Sequence, residues 1–228
     1  MPTSLINADR ATMALVHAGS QPWQASPQPE VQRRLLERMG GEVALATSIV
    51  RYAAGSRFTP HVHALGEEFL VLQGVFRDEH GDYPCGSYVR NPPGSSHEPF
   101  SDTGCIIFVK LRQMQPADRQ RVVLLPHQQH WTELTTDHAA TRTAKAPLYQ
   151  REGEAVHLER LPAGCTIPAR QAAGGEELLV IEGSITLGAG EQTLQRWSWL
   201  RHPGNWQPAI SSPGGALLWV KRGHLAGP

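Results

Sequence analysis

The sequence predicts an all-β chain built as two barrels in tandem. Turn-residue density, the short apolar runs between turns, and an internal repeat carry that reading. Eighteen prolines and 22 glycines in 228 residues cut the chain into short segments, and short strands separated by Gly/Pro turns are the pattern of sandwiches and barrels. The second half repeats the first. RLPAGCTIPARQAAGGEELLVIEGSI (160–185) aligns with RYAAGSRFTPHVHALGEEFLVLQGVF (51–76) at an offset of 109, and GALLWVK (215–221) with GCIIFVK (104–110) at an offset of 111. Self-similarity of this kind marks a duplicated unit. The two extra residues fall between Gly183 and Trp197, in the turn containing GAGEQ. Residues 1–40 are expected to form an N-terminal arm packed on the barrels, 41–120 a first unit and 121–228 a second.

In chain order, residues 1–30 are polar and broken by Pro22, Pro27 and Pro29, with Trp23 as the candidate anchor. VQRRLLERM (31–39) fits a short helix, but Val31, Arg33 and Leu35 also alternate as an edge strand would. EVALATSIVRY (42–52) is rich in β-branched residues and reads as a strand. EEFLVLQGVFRDEH (67–80) is a strand that continues or turns at Gly74. GDYPCG (81–86) is turn-like, SYVR (87–90) a short strand, NPPGSS (91–96) a rigid turn, and GCIIFVKLRQ (104–113) a buried strand. Residues 124–147 connect the halves and supply the opening strand of the second.

The chemistry is concentrated between Gly55 and Gly74. His61 and His63, at i and i+2, project from one face of an extended segment. Ala64, Leu65 and Gly66 can turn the chain, so Glu67 starts the next strand with its carboxylate swung back toward the imidazoles. His97 follows the turn NPPGSS. Three imidazoles and one carboxylate suit a divalent transition metal with positions left for water or substrate.

These residues resemble the first cupin motif, G-x5-H-x-H-x3-E-x6-G, at every fixed position: Gly55, His61, His63, Glu67 and Gly74. The second motif, G-x5-P-x-G-x2-H-x3-N, fits at Gly86, Pro92, Gly94 and His97, with Ser101 where the family has Asn. HVHALGEEFLVLQGVFRDEHGDYPCGSYVRNPPGSSHEP (61–99) is similar to the ChrR-like cupin family, which includes the cupin half of ChrR-type anti-sigma factors and stand-alone oxygenases of the acetylacetone dioxygenase type. The similarity is strongest over residues 40–113. It implies a bicupin of two double-stranded β-helix (jelly-roll) barrels, the first metal-binding through His61, His63, Glu67 and His97. The metal in the ChrR-type proteins is zinc and in the oxygenases iron. One divalent ion is therefore expected, zinc first and iron second, with manganese and nickel also compatible with the ligands. The resemblance implies a regulatory or sensor protein of the anti-sigma-related type, answering oxidative stress or a small ligand. The alternative is a non-haem metal-dependent dioxygenase cleaving a small diketone-like substrate. The sigma-binding module of ChrR-type factors carries its own zinc ligands, and no His-x3-Cys-x2-Cys pattern occurs here.

The repeat has lost the metal-binding residues. Arg170 and Ala172 stand at the positions of His61 and His63, Glu176 matches Glu67, and an ungapped offset of 111 places Pro208 opposite His97 and His202 opposite Asn91. An Arg170–Glu176 ion pair in place of the metal is expected, because a buried lone carboxylate is costly. Around the first site, Glu68, Asp78, Glu79 and Glu98 are candidates to orient the imidazoles. Alternation turns Glu68 away from Glu67. Tyr83 and Tyr88 are cavity or packing residues, His80 a rim turn residue, and Cys85 the one cysteine near the motif.

Charge is balanced, with 21 basic and 21 acidic residues, so direct nucleic-acid binding is not expected. Three scattered cysteines without a CxxC pair support neither a disulfide framework nor a zinc finger. No apolar run of membrane-spanning length or signal-peptide pattern is seen, and a cytoplasmic protein is expected. The expected partners are a small-molecule ligand or oxidant, a regulatory protein, and a second copy paired through edge strands as a homodimer.

Overall fold

The computed structural model describes residues 4–41, 43–135, 142–188 and 192–225. It is almost entirely antiparallel β, and its contacts divide the chain into two units. The first is Met1–Ala8 with Gln21–Gln128, the second Asp9–Ser20 with Gln129–Pro228.

Of the segment expected as an N-terminal arm, residues 9–20 group with the second unit and the rest with the first. Residues Val31–Gly40, for which helix and strand were both open, form a ten-residue strand paired along Ala44–Tyr52. The strand wins because Val31, Arg33 and Leu35 pair across with Tyr52, Val50 and Ser48, a period of two. Ala14–His17 pairs with Ser198–His202 and so completes the second unit. Trp23 is held between guanidinium groups, with Arg34 Cζ 4.2 Å and Arg51 Cζ 4.6 Å from its ring, a cation–π arrangement that anchors the incoming chain.

The two units share one strand order. In the first, the path runs Ser4–Ile6, Val31–Gly40, Ala44–Tyr52, Cys105–Leu111, Glu67–Asp78, Tyr88–Asn91 and Val122–Leu124. In the second it runs Thr132–Thr135, Arg142–Arg151, Glu154–Leu161, Ala216–Arg222, Glu176–Leu187, Ser198–His202 and Ala14–His17. Glu67–Asp78 and Glu176–Leu187 have the same burial pattern residue for residue, as do Cys105–Leu111 and Ala216–Arg222. Inward-facing cores follow, with Phe69, Val71, Phe76 and Val89 in the first and Leu178, Val180, Ile185 and Leu200 in the second.

Two β-bulges recur in both units. One leaves Leu72 in the first and Ile181 in the second unpaired against the neighbouring strand. The other leaves Leu36 and Leu148 unpaired. Each shifts side-chain alternation by one residue, so positions that a straight strand would set on opposite faces come to share one.

The strand from Glu67 continues through Gly74 to Asp78. The segment read as the turn GDYPCG instead contains a strand, Gly81–Pro84, because the reversal is made earlier, at Glu79–His80, with Asp78 paired to Gly81. The matching hairpin pairs Leu187 with Gln192. Residues 188–191 span it where 79–80 span the first, which accounts for the two extra residues; Ala189, Gly190 and Glu191 themselves lie outside the described residues.

Gly74 and Gly183 hold φ of +70° and +71°, and a Cβ at either would overlap the carbonyl oxygen of Gly104 or Gly215 on the neighbouring strand. Gly74→Ala and Gly183→Ala are each expected to lower the unfolding free energy by roughly 2–4 kcal/mol, from backbone strain plus overlap. Urea denaturation of each variant against the parent protein measures it.

Candidate metal centre

The site lies where two short strands meet. His61–Val62 pairs with Ser96–His97, and His97 stands directly across from His61. His63 follows on the same strand line, its amide donating to Ser95 O at 2.9 Å. The chain then turns: Gly66 N donates to His63 O, and Gly66 adopts φ +77°. This delivers Glu67 as the first residue of the next strand.

The three imidazoles converge. Ring centroids are 4.9 Å apart for His61–His63, 5.0 Å for His61–His97 and 4.8 Å for His63–His97. One nitrogen from each lies within 4.8 Å of the others. Glu67 flanks two of them, its Oε2 being 3.4 Å from His63 Nε2 and 3.5 Å from His97 Nε2. The tight group is thus the three histidines, with the carboxylate beside it.

Three of the four members are oriented from behind. His61 Nδ1 is 3.1 Å from Thr59 O, and His97 Nδ1 is 3.1 Å from Asp78 Oδ2. A carbonyl and a carboxylate only accept, so both Nδ1 atoms carry a proton, and in the neutral rings both Nε2 atoms keep a lone pair. Asp78 is held in turn, its Oδ1 accepting from Tyr83 Oη at 3.0 Å and His80 N at 2.8 Å. Asn91 Nδ2 donates to Glu67 Oε2 at 3.2 Å.

The charges follow from this geometry. For the His63 imidazole, burial lowers the pKa and outweighs the nearby Glu67 carboxylate, so the net shift is down. At His97 burial acts the same way, but the Asp78 hydrogen bond and the charges of Glu67, Asp78 and Glu79 outweigh it and raise the pKa. Burial pushes Asp78 up, but its hydrogen bonds with His97, His80 and Tyr83 win and hold it below the usual carboxylate value.

The Nε2 atoms of His63 and His97 are buried and have no hydrogen-bond partner. Two orphaned imidazole lone pairs facing one point beside a carboxylate fit a bound divalent cation, since buried polar atoms otherwise find partners.

A cavity of about 350 Å³ opens beside the cluster. His61, His63, Glu67 and His97 line it together with apolar walls from Val31, Val50, Phe58, Ile107, Val109 and Leu111. Arg33, Arg38 and Arg112 reach it as well.

Of the residues singled out in sequence, Asp78 orients an imidazole. Glu79 instead accepts the amide of Glu98 at 2.8 Å. Glu68 faces away, accepting from Tyr88 Oη at 2.9 Å and pairing with Arg90 Nη1 at 3.3 Å. His80 is an exposed turn residue, and Cys85 donates its thiol to Leu72 O at 3.2 Å. Asn91 and the cavity arginines were missed. Asn91 had a signal, because it opens the rigid turn NPPGSS that leads to His97, and the structure pairs it with Glu67 across the ladder.

The second unit answers the same burial problem differently. Arg170 Nη2 lies 2.8 and 3.0 Å from the two oxygens of Glu176, and Arg222 Nε lies 2.6 Å from Oε2. Arg170 pairs across from Gln207, as His61 does from His97. Gln207, and not Pro208, therefore occupies the His97 position, because the turn after His202 is one residue shorter. His202 pairs with Glu176 as Asn91 pairs with Glu67, and its ring accepts Gln207 Nε2 at 3.2 Å. His157, Glu159 and Arg222 stand where the first unit has the cavity residues Ser48, Val50 and Leu111. Lys145 Nζ is 3.3 Å from Glu159. Burial raises the Glu159 pKa, but the His157 hydrogen bond and the charges of Lys145, His157 and Arg170 bring it down to about 2.

Residues 11–115 match the family model described as the ChrR cupin-like domain. Among solved structures, the chain superposes on a "putative dioxygenase" from Nostoc punctiforme with a TM-score of 0.71 and 14% identity, covering 93% of this chain and 82% of that one. A "putative glyoxylate induced protein" from Pseudomonas aeruginosa gives 0.72 and 14%, covering 97% and 91%. A deletion mutant of the Bacillus subtilis oxalate decarboxylase gives 0.63 and 11%, covering 92% and 76%. No curated protein sequence matches the chain. Residues 11–115 thus resemble a ChrR cupin-like domain, and the chain has the bicupin fold. The fold hosts several chemistries, so it does not choose one.

Arg170→Ala is expected to lower the unfolding free energy by about 1–3 kcal/mol. That is less than for a fully orphaned buried charge, because Arg222 still pairs with Glu176. Thermal unfolding of the variant measures it, with Arg170→Met as the volume control.

Proposed function

We propose that the first unit binds one divalent transition metal through His61, His63, Glu67 and His97 and acts as a metal-dependent oxygenase on a small molecule. The observation that carries this reading is the cavity of about 350 Å³ that these four residues line together. A site built for metal alone needs no such space, whereas small-molecule sites are concave, mostly apolar and fitted with a few convergent polar groups. The likeness in fold to a protein described as a dioxygenase supports the same reading.

A bound metal would supply Lewis acidity and, as iron, redox chemistry toward dioxygen. The residues do the rest. Thr59 O and Asp78 fix the His61 and His97 rings with Nε2 toward the centre. Asn91 holds Glu67 Oε2. Phe58, Val50, Ile107 and Val109 form walls that exclude water and receive an apolar substrate body.

A sensor reading rests on the match to the ChrR cupin-like domain. In it the same site binds zinc, and occupancy or oxidation alters a protein contact.

Protein purified without oxygen from its native host is expected to carry about one iron per chain and to consume oxygen with a diketone or aromatic diol. About one zinc per chain with no oxygen uptake would overturn the oxygenase in favour of the sensor. His63→Ala is expected to abolish stoichiometric metal binding and His202→Ala to leave it intact, measured by elemental analysis. Full occupancy in the His63 variant would remove the site assignment.

A further inference from the structure

We propose that the cavity of the first unit takes an anionic substrate, a small molecule with a carboxylate that Arg33, Arg38 and Arg112 bind and an oxygen-donor end that faces the histidine cluster. This rests on the metal-centre reading above and adds the substrate class.

Among the described residues, the cavity is lined by three guanidinium groups and a single carboxylate, Glu67, which is already engaged by Asn91 and the imidazoles. Among the described residues no acidic group pairs with Arg33, Arg38 or Arg112, and Arg33 Nε is buried with no hydrogen-bond partner. Arg38 donates to the carbonyl of Gly41. Cations gathered against apolar walls, with no counter-charge from the described residues, repel one another. Burial, and then the Arg38 charge, lower the Arg33 pKa. A planar carboxylate relieves this, because it matches the guanidinium fork and forms charge-assisted bonds in a low-dielectric site.

The sister unit sharpens the point. Arg33 pairs across the ladder from Val50, and its counterpart Lys145 pairs across from Glu159. The second unit therefore supplies its own carboxylate, and Lys145 binds it at 3.3 Å. The first unit has valine there, which leaves both the cation and the space.

Two backbone features place these arginines at a local cost. Arg33 and Arg38 are five apart and would face opposite sides of a straight strand, but the bulge at Leu36 sets both on the cavity face, across from Val50 and Ala46. Arg112 holds φ +61°, where the sister unit has Gly223 at +82°. An L-residue in this region carries strain of about 1 kcal/mol or more.

The test is calorimetric titration of the metal-loaded full chain with 3,4-dihydroxybenzoate and with catechol, the same chelating diol with and without a carboxylate. The expected result is binding of dihydroxybenzoate tighter by about tenfold or more, the scale of one charge-assisted contact. Arg33→Gln and Arg38→Gln each bring the ratio toward one, with metal content and catechol affinity unchanged. Equal affinities in the parent protein, no binding of dihydroxybenzoate, or a ratio that persists in both arginine variants overturns the proposal. The same titration on His63→Ala, which is expected to lack the metal, keeps the preference for the carboxylate. Metal content therefore reports on the metal-centre reading, and the ratio on the arginines alone.

Discussion

Each unit buries a carboxylate at the start of its longest strand, and each must give that carboxylate a positive partner. Glu67 and Glu176 occupy equivalent positions in strands of identical burial pattern. An unpaired charge there would cost several kcal/mol. The second unit supplies the positive charge covalently, through Arg170 and Arg222. The first offers imidazoles, and the buried Nε2 atoms of His63 and His97 have no hydrogen-bond partner, an arrangement suited to a cation. The duplicated fold thus solves one electrostatic problem twice, by a built-in ion pair and by a site suited to a metal.

The two solutions have different consequences for space. Guanidinium groups and their partners fill a barrel, and His157, Glu159 and Arg222 occupy the volume that Ser48, Val50 and Leu111 leave open in the first unit. A compact ion coordinated at one wall leaves the remainder free. The first unit therefore keeps a cavity beside its histidine cluster, whereas the equivalent positions of the second hold ion-paired side chains. Orientation matters as much as identity. Asp78, itself held by Tyr83 and the His80 amide, sets the His97 tautomer and makes the cluster competent for a cation.

Much of this was legible in the residues. β-Branched content and Gly/Pro punctuation marked most of the strands, because such residues fit a pleated surface and turns need special backbone conformations. The repeat gave the tandem barrels and located the two extra residues in one hairpin. The spacing of His61, His63 and Glu67 gave the cluster, since i and i+2 share a face and Gly66 permits the turn between them. The Arg170–Glu176 pair followed from the cost of burying charge.

What the sequence could not decide depended on register and on pairing between distant segments. Whether 31–40 is a helix or a strand was settled by the partner strand Ala44–Tyr52, not by propensity. Ala14–His17 completes the second unit because its partner is Ser198–His202, a pairing across most of the chain with no local signature. A turn one residue shorter puts Gln207, not Pro208, at the His97 position. The bulge at Leu36 brings Arg33 and Arg38 to one face, where alternation counted along the sequence separates them. Sequence by itself determined that His61, His63 and Glu67 converge, because their spacing is local, while His97 was placed by its resemblance to the second motif. The tertiary structure decided which charges share the cavity with them, because one unpaired residue in a ladder inverts every face beyond it.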